Sequence, residues 1–164
     1  MDDVYVLGAG MTAFGKRTDR SLAELTAEAV HASLEDACCD AHDVQAACFS
    51  NAGQGAIEGQ HMISGQIALR RIGLGGIPVL NVENACASAS TAFHLACLYV
   101  KAGAADIVLA VGAEKMVTPQ KERAFELLRG APLVAHRAVA ARGPRLDDRG
   151  AIEPVGEQRP IESR

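Results

Sequence analysis

The 164-residue chain contains no tryptophan, two tyrosines and four phenylalanines, so aromatic residues make up only 4% of it. So few rings do not furnish a stacking platform for nucleic-acid bases. Positive charge is scarce as well, with 16 Lys and Arg against 20 Asp and Glu and a formal net charge of -4. Without a basic surplus there is no electrostatic footprint for DNA, RNA or an anionic membrane, and no nucleic-acid partner is expected. Long apolar runs are missing too. The longest uncharged stretch near the middle, residues 84–100, is full of Ala, Ser, Thr and Asn and falls short of the ~20 strongly apolar residues that a membrane span needs. Asp2 and Asp3 stand where a secretory signal would carry Lys or Arg, so a cytoplasmic protein is expected. The five cysteines, at 38, 39, 48, 86 and 97, are odd in number and show no C-x-x-C spacing. They suggest neither a disulfide framework nor a zinc site, and free thiols in a reducing compartment are the simpler reading.

What is present fits helices packed on a sheet. The hydrophobic set makes up 49% of the residues, and it comes mostly from small and aliphatic side chains. The length matches one domain, for which about 100 to 200 residues is the usual span. Val4-Tyr5-Val6-Leu7, ended by Gly8-Ala9-Gly10, reads as a buried strand and turn. Ser21-Leu22-Ala23-Glu24 has the form of a capping box, and Leu22, Leu25, Ala29 and Ala32 recur behind it at helical spacing. A helix is therefore expected over 21–38. Strands are expected over 44–49, 77–82 and 106–111. Two further helices are expected, one over 59–72 carrying Met62, Ile63, Ile67 and Leu69, and one from Ala85 or Cys86 to about Gly103 with Phe93, Leu95, Ala96 and Leu98 inward. The order βαβαβαβ, with continuous apolar strands, predicts an α/β fold: a mostly parallel sheet with helices on both faces.

Beyond Gly130 the composition shifts. Residues 131–164 hold six Arg, no Lys and four of the six Pro, with no period of 2 or 3.6. A surface tail and an out-of-frame translation of GC-rich DNA both give such a stretch, and the other two frames downstream of codon 130 distinguish them.

Two segments invite a chemical reading. Gly8-Ala9-Gly10-Met11-Thr12-Ala13 has the G-x-G-x-x-A outline of a dinucleotide-binding turn, but the capping box comes eleven residues after Gly10, too late for a helix N-terminus to hold a pyrophosphate at the glycines. A strand-end turn is the better reading. Asn81 to Ser90, sequence NVENACASAS, is more informative. It puts Cys86 where a buried strand meets a helix of small residues. Unpaired N–H groups at such a place favour an anion, and helix N-termini are among the settings that turn a cysteine into a nucleophile. Position alone leaves open a buried, inert thiol.

The approach to that cysteine, Gly65 to Arg71, then Pro78 to Val82, then Asn84-Ala85-Cys86-Ala87-Ser88, resembles the approach to the nucleophile in thiolases. Val6 to Gly15 and Asp106 to Met116 are similar to the first strand and to the strand after the nucleophile helix. The likeness is to the sterol-carrier-protein and acetyl-CoA acetyltransferase branch and spans about residues 4–125. It implies a thiolase-like N-terminal half over 1–125 and an irregular Arg- and Pro-rich tail over 126–164. It also implies Cys86 as the acyl-accepting nucleophile. Coenzyme A thioesters would be substrates, with no bound cofactor, and the reaction would be thiolysis or Claisen condensation. Ala89 stands where many thiolases have Gly, and its methyl would narrow the approach of the thioester.

The family also uses a His and a second Cys on G-H-P and C-x-G motifs of its C-terminal half, and neither motif occurs here. His31, His42, His61, His94 and His136 read as ordinary histidines; His94 lies eight residues from Cys86, ~12 Å along a helix at ~1.5 Å per residue. Cys38, Cys39, Cys48 and Cys97 read as packing residues. The resemblance therefore implies a truncated acyltransferase, inactive or nearly so alone. Two alternatives are a heteromeric or non-catalytic component needing a partner chain, and a retro-aldol carbon-carbon lyase of the same superfamily. Self-association or a complementary chain is expected, because half of a duplicated fold leaves an apolar face uncovered. Ile77 to Val82 is apolar enough to serve a dimer.

Overall fold

A computed structural model describes residues 3–117 and 121–130. Ser21 caps α1 (Leu22–Asp36) through both arms of the expected box. The Glu24 N–H donates to Ser21 Oγ at 3.2 Å, and the Ser21 N–H donates to Glu24 Oε2 at 2.7 Å. The hydrogen bond from the Ser21 side chain, followed by that from its backbone, holds the Glu24 carboxyl below its ordinary range. Leu22, Thr26 and Val30 form the buried stripe of the helix. Its end is a Schellman turn, with Cys38 at φ +50, Cys38 N–H donating to the Glu35 carbonyl and Cys39 N–H to that of Leu34.

β1 (Ala46–Ser50) follows, then α2 (Gln54–Glu58) and α3 (Ser64–Arg70), β2 (Val79–Val82), α4 (Ser88–Lys101), β3 (Val108–Gly112) and α5 (Lys121–Gly130). The strands form a parallel sheet in the order β2-β1-β3, with Cys48 opposite Leu80 on one side and Ala110 on the other. Alternate strand residues feed two cores. Ala47, Phe49, Leu109 and Val111 pack with Leu22 and Val30 of α1 and with Ala68 and Leu69 of α3. Cys48 and Val82 pack with Ala92 and Ala96 of α4. Helices thus cover both faces of the sheet, as expected for this α/β class.

Several expectations need correction. Val4–Leu7 is not a strand: Tyr5, Val6 and Leu7 are largely exposed, and a cavity of about 500 Å³ separates the segment from β3. The cause lies next to it, where the chain is tied to α1 instead. Ala9 N–H donates to Asp36 Oδ2 at 2.9 Å, Ser33 Oγ donates to the Gly8 carbonyl at 3.4 Å, and a Cβ on Gly8 would sit 2.5 Å from Ser33 O. Those glycines serve close approach to a helix and are not the strand-end turn expected there. The helix expected over 59–72 is two helices, because Gly59 ends α2 at φ +78 and Ile63 precedes α3 at φ +50. Met62 and Ile63 are exposed in the connection, while Leu69 is buried. On α4, Leu98 is exposed and Phe93 is half-exposed at the larger cavity, and the small Ala92 and Ala96 make the sheet contact because they let the helix axis come close.

Residues 126–130, expected in the tail, form the second half of α5; 131–164 and His136 within them lie outside the described residues. α5 docks on α2, where Arg123 Nη1 donates to the Ile57 carbonyl at 3.2 Å. No helix among the described residues is long and apolar enough to cross a membrane.

Gly65 is where α3 meets the central strand, and a Cβ there would lie 2.6 Å from Phe49 Cβ. Gly65→Ala is expected to cost about 1–3 kcal/mol of unfolding free energy by overpacking, read from denaturant melts. An unchanged midpoint would mean that α3 is free to move off Phe49.

Candidate functional site

All three strands run the same way, so their carboxyl ends, the usual place for function in a parallel sheet, converge. β1 ends at Ser50 and passes into Asn51, β2 passes into Glu83, and β3 passes into Ala113 and Glu114. A cavity of about 320 Å³ opens there, lined in part by Asn51, His61, Ser64, Asn81 and Glu83 over a floor that includes Phe49. Its walls are fixed by side chains bonded to backbone. Asn81 Oδ1 accepts from Gly65 N–H at 2.7 Å, while Asn81 Nδ2 donates to Gln66 Oε1 at 2.7 Å. Ala52 N–H donates to Glu114 Oε2 at 2.8 Å and Gly53 N–H to the same carboxylate at 3.2 Å. Asn51 completes the link by donating from Nδ2 to Ala113 O at 2.6 Å and accepting from Gln54 N–H at 2.9 Å. Glu114 thus occupies the N-terminal end of α2, where backbone N–H groups lack helical partners.

Beyond Glu83 the chain turns sharply into α4. Asn84 is at φ -153, Ala85 at φ +45, and Ala85–Ala87 form a single 3-10 turn that runs into the helix. A left-handed non-glycine residue is held only where its surroundings demand it. Here Ala85 N–H donates to Glu83 Oε1 at 2.7 Å, Ala87 N–H to Asn84 O at 2.9 Å, and Asn84 N–H to Ser88 Oγ at 2.7 Å. Ser88 Oγ in turn donates to Ala85 O at 2.7 Å. Asn84 Nδ2 reaches Thr91 Oγ1 at 2.9 Å, and Thr91 and Ser90 each donate to the Ala87 carbonyl.

Cys86, expected as the nucleophile, sits at the crest of this turn and is exposed. Its neighbours Ala85, Ala87 and Ala89 are small and exposed as well, which leaves room for a bulky electrophile. Cys48 is its opposite, fully buried in β1, where desolvation pushes the thiol up. Cys38 is exposed, and Cys39 and Cys97 are half-buried. No histidine is hydrogen-bonded to Cys86 among the described residues: His31 and His42 are exposed at a distance in sequence, His94 is exposed on α4, and His61 lines the cavity. No cluster of three or more His, Cys, Asp or Glu among the described residues is arranged to hold a metal ion.

The sequence marks Cys86 but not the groups that hold it. Ser88 and Asn84 carry an available signal, since a hydroxyl four residues after a turn-forming Asn is spaced to cap it. Glu114 and Asn51 carry none, because 63 positions separate them and only the β1–β3 pairing brings them within 3.3 Å.

The sheet, the turn and the placement of the cysteine define an α/β protein of the thiolase type. The family model "Thiolase, N-terminal domain" matches residues 4–141, and the chain belongs to the thiolase family. It is 41% identical over 116 residues to acetyl-CoA acetyltransferase of Methanocaldococcus jannaschii, covering 71% of this chain and 29% of that protein. To sterol carrier protein 2 of Bos taurus it is 39% identical over 116 residues, covering 70% of this chain and 20% of that protein. The chain therefore spans about a fifth to a third of the length of the curated relatives it matches. Among solved structures, 3-oxoacyl-[acyl-carrier-protein] synthase III from Aquifex aeolicus shares the fold with a TM-score of 0.52 at 17% identity, over 60% of this chain and 31% of that one.

Glu114→Ala is expected to cost about 1–3 kcal/mol by leaving the Ala52 and Gly53 N–H groups without acceptors, and to speed amide exchange selectively over residues 52–58. Exchange that rises uniformly along the chain would contradict a local role.

Proposed function

We propose that this chain supplies the nucleophile of a thiolase-type acyltransferase, with Cys86 as the acyl acceptor and coenzyme A thioesters as substrates. The observation that carries the reading is the exposed Cys86 on a strained turn at the carboxyl end of a parallel strand, in a chain of the thiolase family. The Cys86 thiolate attacks the thioester carbonyl, the tetrahedral adduct collapses with departure of the CoA thiolate, and an acyl-cysteine remains. Transfer of that acyl group to CoA completes thiolysis; transfer to the α-carbon of a second thioester forms a carbon-carbon bond and is Claisen condensation.

The residues that would move protons are not beside Cys86. His94 is eight residues along α4, ~12 Å at the usual helical rise, and the sequence has no G-H-P or C-x-G motif. These facts favour a second, narrower reading, in which the chain works with further polypeptide that supplies the acid, the base and the oxyanion donors. A second copy would lack the same two motifs, so that polypeptide is a complementary thiolase-type segment.

Incubation with acetoacetyl-CoA or acetyl-CoA, followed by peptide mass analysis, is expected to find an acyl group on Cys86 that Cys86→Ser abolishes. Turnover with added CoA is expected to be slight, because each absent acid, base or oxyanion donor ordinarily supplies about 10²-fold or more. Absence of any acyl-Cys86 would defeat the nucleophile assignment, and vigorous thiolysis would defeat the need for a partner.

Iodoacetamide at neutral pH provides a substrate-independent check. Cys86 is expected to alkylate faster than Cys97, and Cys48 not at all in the folded protein. Equal rates at 86 and 97 would mean that presentation on the turn gives Cys86 no advantage as a nucleophile.

A further inference from the structure

We infer that Ser88 is the positioning residue of the Cys86 turn, its hydroxyl holding Ala85 in the left-handed conformation that presents the cysteine; this inference rests on Cys86 being the acyl acceptor. Ser88 is only 6% exposed, although Cys86, Ala87, Ala89 and Ser90 around it are all exposed. Its Oγ closes two bonds at once, accepting from Asn84 N–H and donating to Ala85 O, each at 2.7 Å. These groups belong to the 83–84 and 85–86 peptide units, so one hydroxyl ties together the two ends of the Asn84–Ala85 segment that contains the strained residue.

The other bonds of the turn do not do this. Ala87 N–H to Asn84 O is the bond that any 3-10 turn makes for itself. Glu83 bonds Ala85 N–H but is exposed, so water competes for both partners. Ser90 and Thr91 bond the Ala87 carbonyl, on the far side of Cys86 from Ala85. A buried hydroxyl has no water to exchange with, and an L-residue at φ +45 relaxes to negative φ unless something opposes it. Without Ser88 Oγ, Ala85 relaxes and the Cys86 peptide rotates relative to the start of α4.

The test is the ratio of iodoacetamide rates at Cys86 and Cys97, measured by peptide mass analysis in one sample of the full chain, with Cys97 as internal standard. Ser88→Ala is expected to lower the ratio by about tenfold, because the released turn presents Cys86 in the held conformation in only about a tenth of the molecules, while Ser90→Ala, which removes a neighbouring exposed hydroxyl, changes it by less than ~2-fold. A second prediction follows from the strain. Because Gly adopts positive φ without steric cost, Ala85→Gly should reduce the effect of Ser88→Ala to less than ~3-fold. A ratio unchanged by Ser88→Ala, or a Ser88→Ala effect as large with Gly at 85 as with Ala, overturns the inference. Should Ser88→Ala not fold by circular dichroism, Ser88→Thr keeps the hydroxyl and must keep the ratio in its folded form; loss of the ratio there also overturns it. A wild-type ratio near one has a different meaning, since it refutes Cys86 as the favoured nucleophile itself.

Discussion

The central strand β1 is the constraint on which the rest depends. All five of its residues are buried, and it is paired on both edges. A strand buried on both faces and both edges must send side chains into two separate cores, and it does: Ala47 and Phe49 go to the α1 and α3 side, Cys48 to the α4 side. Ionisation of Cys48 in that setting is opposed by desolvation, which makes this thiol a packing group. α3 can lie on Phe49 only because Gly65 carries no side chain, and α4 lies close to the sheet because Ala92 and Ala96 are small.

Parallel pairing about β1 then decides where chemistry can occur. With all strands pointing one way, Asn51, Glu83 and Glu114 emerge at the same edge, and α4 starts beside them. Backbone groups freed at strand ends and helix starts need partners, and here they are met by side chains, some from far along the chain and one from the turn itself. Glu114 serves Ala52 and Gly53, Asn81 serves Gly65, and Ser88 serves Asn84 and Ala85. The cavity wall and the cysteine turn are therefore rigid for the same reason.

The elements legible in the sequence are those whose signal is local. The Ser21 and Glu24 box marks the start of α1 to the residue, and apolar runs locate β1, β2 and β3 within two residues. Cys86 is legible as a cysteine at a strand-to-helix junction, but its exposure is not, since the same position suits a buried, inert thiol. Errors arose where tertiary contact overrides local pattern. Val4–Leu7 has the composition of a strand, but the glycines that follow bind it to α1 and leave it off the sheet. Phe93 and Leu98 match the helical period of an inward face, yet the sheet selects Ala92 and Ala96, whose size and not whose hydrophobicity is decisive. The break between α2 and α3 needed Ile63 to take positive φ, which nothing about isoleucine foretells.

Among the described residues three non-glycine positions have positive φ, and their differences show what is particular to the turn at Cys86. Cys38 is the left-handed residue that ends α1, stabilised by the two backbone bonds that such an ending makes by itself. Ile63 enters α3, and its carbonyl accepts the first helical bond, from Ile67 N–H. In both cases the helix recovers the cost of the unusual conformation through its own backbone. Ala85 differs, because the groups that bracket it, Asn84 N–H and the Ala85 carbonyl, are bonded to a side chain. Strain balanced by a side chain is balanced from outside the secondary structure, and it lies one residue before the only cysteine that is exposed beside a run of small residues. Were the turn needed only to join β2 to α4, a glycine at 85 would join them with less strain. An alanine there, locked by a buried hydroxyl, gives a single conformation instead of several, and a single conformation is what a reacting atom requires of the backbone that carries it.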